Sequence, residues 1–155
     1  MVRIAALQDA EQLRSMNNEF NGEDELTLDY IQSSLAENKQ EVVIVDEQNG
    51  ELTGFVCVQL KKSFCYDDYM PEITEVYVKP QYRRNGIAQS MIVYAEEYCK
   101  KHFPLHKFEL LTGVENDNAQ RVYMKLGYSE DGELHLAKKI VDNIENQMHQ
   151  KNRDQ

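Results

Sequence analysis

Arg83-Arg84-Asn85-Gly86-Ile87-Ala88 joins a strand-like run, Glu72 to Lys79, to a helix-like run that opens at Ile87. A strand, a glycine-bearing turn and a helix in that order make an anion site. The first backbone N–H groups of a helix have no intrahelical acceptor and carry the positive end of its dipole, so a phosphate can rest on them. Gly86 lets the backbone come close to such a ligand, and the small Ala88 keeps the next turn clear. Arg83 and Arg84 add charge that can hold a diphosphate or a 3′-phosphate from the side.

Upstream of the turn, Val2 to Ala6 reads as a short strand, and Asp9 as the cap of a helix with Leu13, Met16 and Phe20 at helical spacing. Asn21-Gly22-Glu23-Asp24 breaks it. Thr27 opens a second helix with Leu28, Ile31 and Leu35 on one face, ending near Asn38. Val42 to Val45, inside a strand from Glu41 to Glu47, is too apolar a run for a sheet edge. Asn49-Gly50 is the dipeptide of a tight hairpin turn, and Leu52 to Lys61 returns as the partner strand. Lys62 to Pro71 is a loop carrying Phe64, Tyr66 and Tyr69, which either line a ligand or fold back on the core.

Downstream, Ile87, Met91, Tyr94, Ala95 and Tyr98 mark one face of a helix from Ile87 to His102, stopped by Pro104. Lys107 to Gly113 reads as a strand, Asn118 to Leu126 as a short helix closed by Gly127, and Leu134 to Ile140 as a last strand. Val141 to Gln155 is a polar tail, either a frayed helix or a disordered end. A hairpin feeding a strand–helix–strand unit predicts a mixed sheet with helices on both faces, an α/β (α+β) fold.

At 155 residues the chain fits one domain with a single core. The three cysteines, Cys57, Cys65 and Cys99, are an odd number without metal-ligand spacing, which predicts reduced thiols and a cytoplasmic protein. Neither a secretory h-region nor a run of membrane-spanning length is present, so no membrane partner is expected. The formal net charge of −10 argues against nucleic acid, which demands a basic face. The same field would draw in a cationic substrate such as an amine.

Asn116-Asp117-Asn118-Ala119, followed by Tyr123 and Gly127-Tyr128, lies just after the strand expected to pair in parallel with the one entering the turn. Ligands of open sheets sit at the carboxyl ends of such neighbouring strands. Arg83-x-x-Gly86-x-Ala88 together with Asn116-x-x-Ala119-x-x-x-Tyr123-x-x-x-Gly127-Tyr128 resembles the acetyl-coenzyme A signature of the GNAT superfamily of N-acetyltransferases. The order of elements is similar to that fold from Val2 to about Ile140.

The resemblance implies a single acetyl-CoA-binding domain over residues 1–140, with a mixed sheet of about six to seven strands flanked by about four helices. It implies that the amides of Arg83, Arg84, Asn85, Gly86, Ile87 and Ala88 hold the pyrophosphate. A bulge in the strand before the turn would splay Val76, Tyr77 and Val78 from the strand at Lys107 to Gly113, leaving backbone groups for the pantetheine amides. Asn116 would contact the pantetheine arm or cap the short helix, and Tyr123 would protonate the departing thiolate. Glu75 and Glu72 are candidates for the base; on a regular strand they face opposite ways, and Glu75 lies nearer the bulge. By position, Phe20, Asn21, Phe64, Tyr66 and Tyr69 are candidates for the acceptor pocket.

The reading that follows is direct transfer of an acetyl group to a primary amine, with neither a metal nor a covalent enzyme intermediate. A sensor or interaction module that binds acetyl-CoA without catalysis is a second reading. Acetylation of a protein lysine or N-terminus is a third. Edge strands near the C-terminus make a homodimer plausible.

Overall fold

Val42, Ile44 and Val45 are buried because their strand lies between two others, as the apolar run requires. The computed structural model describes residues 1–23 and 26–140. In chain order these form β1 (Val2–Ile4), α1 (Ala10–Asn21), α2 (Leu28–Glu37), β2 (Glu41–Gln48), β3 (Glu51–Lys61), β4 (Met70–Val78), α3 (Ile87–His102), β5 (Glu109–Leu110) and α4 (Asp117–Lys125). The strands make one sheet in sequence order, antiparallel from β1 to β4 and parallel between β4 and β5.

Each face of the sheet buries one set of alternating side chains. Val42, Ile44, Val56, Val58, Ile73 and Val78 pack against Ile87, Met91, Ile92, Ala95 and Cys99 of α3. On the other face Val45, Leu52, Phe55 and Tyr77 pack against Leu13 and Met16 of α1. The α3 stripe predicted from Ile87, Met91 and Ala95 therefore extends to Ile92 and Cys99, while Tyr94 and Tyr98 sit at its margin.

Local signals place the element ends. Asn49 and Gly50 both adopt positive φ in the β2–β3 hairpin, as a two-residue turn with the right twist demands. The Thr27 side chain accepts from the Tyr30 amide at the start of α2. Asp9 stands before α1 but does not cap it with its side chain. Its carboxylate instead takes two bonds from the Arg3 guanidinium, at 2.6 and 2.9 Å, and one from the Ala6 amide. Those partners tie the end of β1 to the start of α1, and burial of Asp9 makes a charged partner worth more than a cap.

The described residues contain five strands, not six to seven, and four α-helices. The strand expected at Lys107 to Gly113 shrinks to Glu109–Leu110, because β4 bends away from it one residue beyond Ile73. With so short a β5, an edge strand has almost no ladder to join. Leu134 to Ile140 accordingly makes no pairing among the described residues, and Leu134, Leu136 and Ile140 lie exposed. Asp24, in the segment read as breaking α1, and the tail expected over 141–155 lie outside the described residues. No helix among the described residues is long and apolar enough to cross a membrane.

Candidate functional site

The bend in β4 builds the site. Cys57 of β3 pairs with Glu75 and Val58 pairs with Ile73, so Thr74 is an extra residue with no opposite number. β5 pairs with β4 only at Glu72 and Ile73. From Glu75 to Val78, β4 is bonded on one side to β3 and, among the described residues, has no strand on the other. That open edge offers backbone donors and acceptors to an extended ligand.

The bulge also decides which acid faces the cleft. Glu72 pairs with Gln59 and Glu75 with Cys57, and since Cys57 and Gln59 share a face of β3, both glutamates point to the same side. They differ in company. Glu72 lies 3.4 Å from Lys61 Nζ, which also holds Glu109 at 3.1 Å. Glu75 has no ion-pair or hydrogen-bond partner among the described residues and lines a cavity of about 310 Å³ between the sheet, α1 and α2. Burial pushes its carboxyl above the usual glutamate range. Glu41, at the start of β2, lines the same cavity, and burial together with the charge of Glu75 pushes it up as well.

Leu13, Ile31, Leu35, Val43 and Phe55 give the cavity its apolar walls, and Cys57 lies at its floor between the two acids. Burial and the neighbouring carboxylates raise the Cys57 thiol, and burial raises Cys99 to about 11, so neither is a thiolate at neutral pH.

At the carboxyl end of β4 the chain makes a short 3-10 turn, Pro80–Tyr82, and then the glycine turn. Glu51 anchors this segment by accepting from Lys79 Nζ and from the Tyr82 hydroxyl, each at 2.9 Å. Arg84 and Gly86 both take positive φ, 65° and 74°. Such left-handed residues curl successive amides toward one point, the geometry of an anion nest. The first helical bond of α3 runs from Ser90 N to Gly86 O, leaving the N–H groups of Ile87, Ala88 and Gln89 without an acceptor among the described residues. A Cβ on Gly86 would meet no atom within 4 Å, so the face of the turn is open. These features fit a phosphate or diphosphate. Arg83 is partly engaged, its Nε donating to Val78 O at 2.8 Å and its guanidinium lying 5.8 Å from the Tyr77 ring, whereas the Arg84 side chain is exposed. The Asn85 side chain closes the turn by donating to Tyr82 O and Arg83 O.

Asn116 caps α4 by accepting from the Ala119 amide at 3.3 Å. At the other end Gly127, with φ 95°, allows the bonds Gly127 N to Met124 O and Tyr128 N to Tyr123 O, a Schellman closure. That closure sets Tyr128 edge-on against Tyr123, with ring centroids 6.4 Å apart. The two phenols then diverge. Tyr128 donates to Glu96 at 2.8 Å, while the Tyr123 hydroxyl has no partner among the described residues. Burial raises the Tyr123 phenol, so it stays protonated at neutral pH.

Residues 7–128 match the acetyltransferase (GNAT) family. The chain belongs to that family. Its similar proteins include an uncharacterised N-acetyltransferase of Methanocaldococcus jannaschii, 34% identical over 111 residues, covering 68% of this chain and 49% of the relative. A Bacillus subtilis protein, provisionally named a ribosomal protein bS18-alanine N-acetyltransferase, is 29% identical over 106 residues, 68% of this chain and 66% of its own. The chain thus spans from about half to two thirds of the length of these relatives. An aminoglycoside acetyltransferase from an uncultured soil metagenomic sample, solved with sisomicin, shares the fold with a TM-score of 0.78 at 13% identity, over 91% of this chain and 96% of that one.

Among the residues expected to meet an acceptor, Asn21 lines the cavity and Phe20 packs on Phe55 and Tyr77 beside it. The loop aromatics are elsewhere. The Tyr69 amide bonds Pro104 O, its carbonyl takes the His106 amide, and its ring lies on Phe103, which pins the loop to the end of α3. Phe64 is fully exposed, and Tyr66 lines a separate cleft with His106 and Glu133. Sequence reasoning missed Glu41 and also Gly54, where a Cβ would lie 2.5 Å from Tyr77 O. A glycine inside a strand was the available signal for such a close approach.

Proposed function

We propose that this chain transfers the acetyl group of acetyl-CoA to the amine of a small cationic molecule. The observation that carries the reading is Glu75, a half-buried carboxylate without a partner among the described residues, which stands just past the point where β4 loses β5 and lines a largely apolar cavity. Relatives named for a ribosomal protein alanine and for aminoglycosides differ widely in acceptor, so the acceptor is read from this cavity. Its volume of about 310 Å³ between the sheet, α1 and α2 suits a small molecule, and the net charge of −10 favours a cation.

When bound, acetyl-CoA supplies the acetyl group as an activated thioester. The amides of Ile87, Ala88 and Gln89, with the nest at Arg84 to Gly86, hold its diphosphate, and Arg84 adds charge from the side. The open edge from Val76 to Val78 takes the pantetheine arm as an added strand, and a backbone N–H there polarises the acetyl carbonyl. Glu75 accepts the proton that an ammonium must lose before its nitrogen can attack. Tyr123 gives its phenolic proton to the sulfur that leaves. Its neutral state at pH 7 suits a donor, and Tyr128, committed to Glu96, takes no part.

The test is calorimetric titration with acetyl-CoA, then free-thiol release against a panel of amines. Tyr123→Phe should lower kcat by about a hundredfold or more while acetyl-CoA affinity stays near that of the parent. Equal turnover by that variant would remove the acid role. Tight binding without amine-dependent thiol release would favour the sensor reading instead.

A further inference from the structure

Glu41 and Glu75 form an uncompensated pair. The described residues lining their cavity include no lysine, arginine or histidine, and neither carboxylate has a partner among the described residues. Two acids in an apolar pocket repel each other and lose hydration, a cost that proteins ordinarily relieve with a cation. Glu72, on the same sheet face, has that relief from Lys61. At the cavity no side chain supplies it among the described residues, and a cationic ligand would.

The register fixes how the charges are arranged. Val43, Cys57 and Glu75 stand side by side on β2, β3 and β4, and Glu41 lies two residues from Val43 on the same face. Strand spacing and rise put the α-carbons of Glu41 and Glu75 about 12 Å apart. Glu75 is at the bulge, beside the open edge, and Glu41 is at the far end of the floor. The lining is apolar at Leu13, Ile31, Leu35, Val43 and Phe55 and polar at Asn17, Asn21, Tyr30, Ser34 and Asn38. An aliphatic spacer fits the apolar side chains, whereas a densely hydroxylated ring needs a polar partner for each of its hydroxyls.

We propose that the acceptor is a linear diamine or polyamine, and that Glu41 is its specificity-determining residue, gripping the distal ammonium while the proximal amine reacts at Glu75. This deepens the acetyl-transfer reading and rests on it. Glu41 touches the end of the substrate that does not react, so it selects the substrate and leaves the chemistry to Glu75.

The experiment compares putrescine and cadaverine with butylamine and pentylamine, which differ only in the second charge. The wild-type chain should favour each diamine over its monoamine by roughly tenfold or more in kcat/KM, a gap of about 1.4 kcal/mol. Glu41→Gln should collapse that ratio toward one, mainly through KM, and Glu41→Asp should restore part of it. Glu75→Gln should lower kcat for both kinds of amine. Calorimetric binding of putrescine without acetyl-CoA should weaken in Glu41→Gln, and a thermal melt confirms that each variant is folded. Equal use of monoamines and diamines by the wild type, or a ratio that survives in Glu41→Gln, would overturn the proposal while leaving acetyl transfer intact. If no amine releases thiol, the acetyl-transfer reading fails and the assignment of Glu41 fails with it.

Discussion

Gly86→Ala tests the phosphate turn by separating its two demands on that position. Gly86 sits at φ 74° and ψ 13°, where an L-residue is disfavoured by about 1–2 kcal/mol. No steric clash adds to this, because an added Cβ meets nothing within 4 Å. For a domain of this size the penalty corresponds to a fall in Tm of about 2–8 °C. The effect on binding is larger. The methyl projects from the exposed turn that carries the unpartnered amides, and displacing a phosphate from two of them forfeits about 3–6 kcal/mol of charge-assisted hydrogen bonding. Acetyl-CoA affinity should therefore fall by roughly a hundredfold to ten-thousandfold. Gly86→Asn tolerates the left-handed backbone better, so it should recover part of the Tm and none of the affinity. Calorimetric titration beside a thermal melt reads both. A lowered Tm with acetyl-CoA affinity within about threefold of the parent would refute the assignment of the turn.

Gly54→Ala should destabilise the chain by about 1–3 kcal/mol in urea melts and weaken acetyl-CoA binding too, because the new Cβ collides with backbone atoms of Tyr77 and Val78. Arg3→Leu should cost about 3 kcal/mol, since it strands the buried Asp9 carboxylate. Arg3 holds Asp9 below the usual carboxylate range, so its contribution is full above about pH 4 and disappears as pH falls through the folded value. The Tm gap between parent and Arg3→Leu should thus narrow in acid, and a gap independent of pH would contradict the account. Burial raises Glu75, so the acid limb of kcat/KM should lie above the ordinary glutamate range, with activity falling as Glu75 protonates; Glu75→Gln should abolish that limb.

Features fixed by neighbours in sequence were legible before the structure was known. Thr27 and Asn116 cap their helices, Asn49-Gly50 turns the hairpin, and Gly127 closes α4, each through contacts within a few residues. The free amides of the turn before α3 belong to this class, because the start of the helix itself releases them. What escaped depends on distant partners. Asp9 resembles a cap until Arg3 is seen beside it, and Phe64, Tyr66 and Tyr69 resemble a pocket until Pro104 and His106 anchor the loop away from it. The shortness of β5 is decided in β4, and Glu41 becomes informative only when β2 and β3 carry it to the cavity of Glu75.

Thr74 acts as a change of parity. Before it, the odd-numbered Ile73 faces α3; after it, the even-numbered Val76 and Val78 do. The two halves of β4 are therefore written in opposite phase, and one residue keeps both readable on the same sheet. Deleting Thr74 would leave every side chain on its present face: Glu75 would follow Ile73 directly, still opposite Cys57 on the cavity side, and Val76 and Val78 would still face α3. What would go is the bulge itself, and with it the bend that parts the second half of β4 from β5, so the open edge would close with no change in which residues line the cavity.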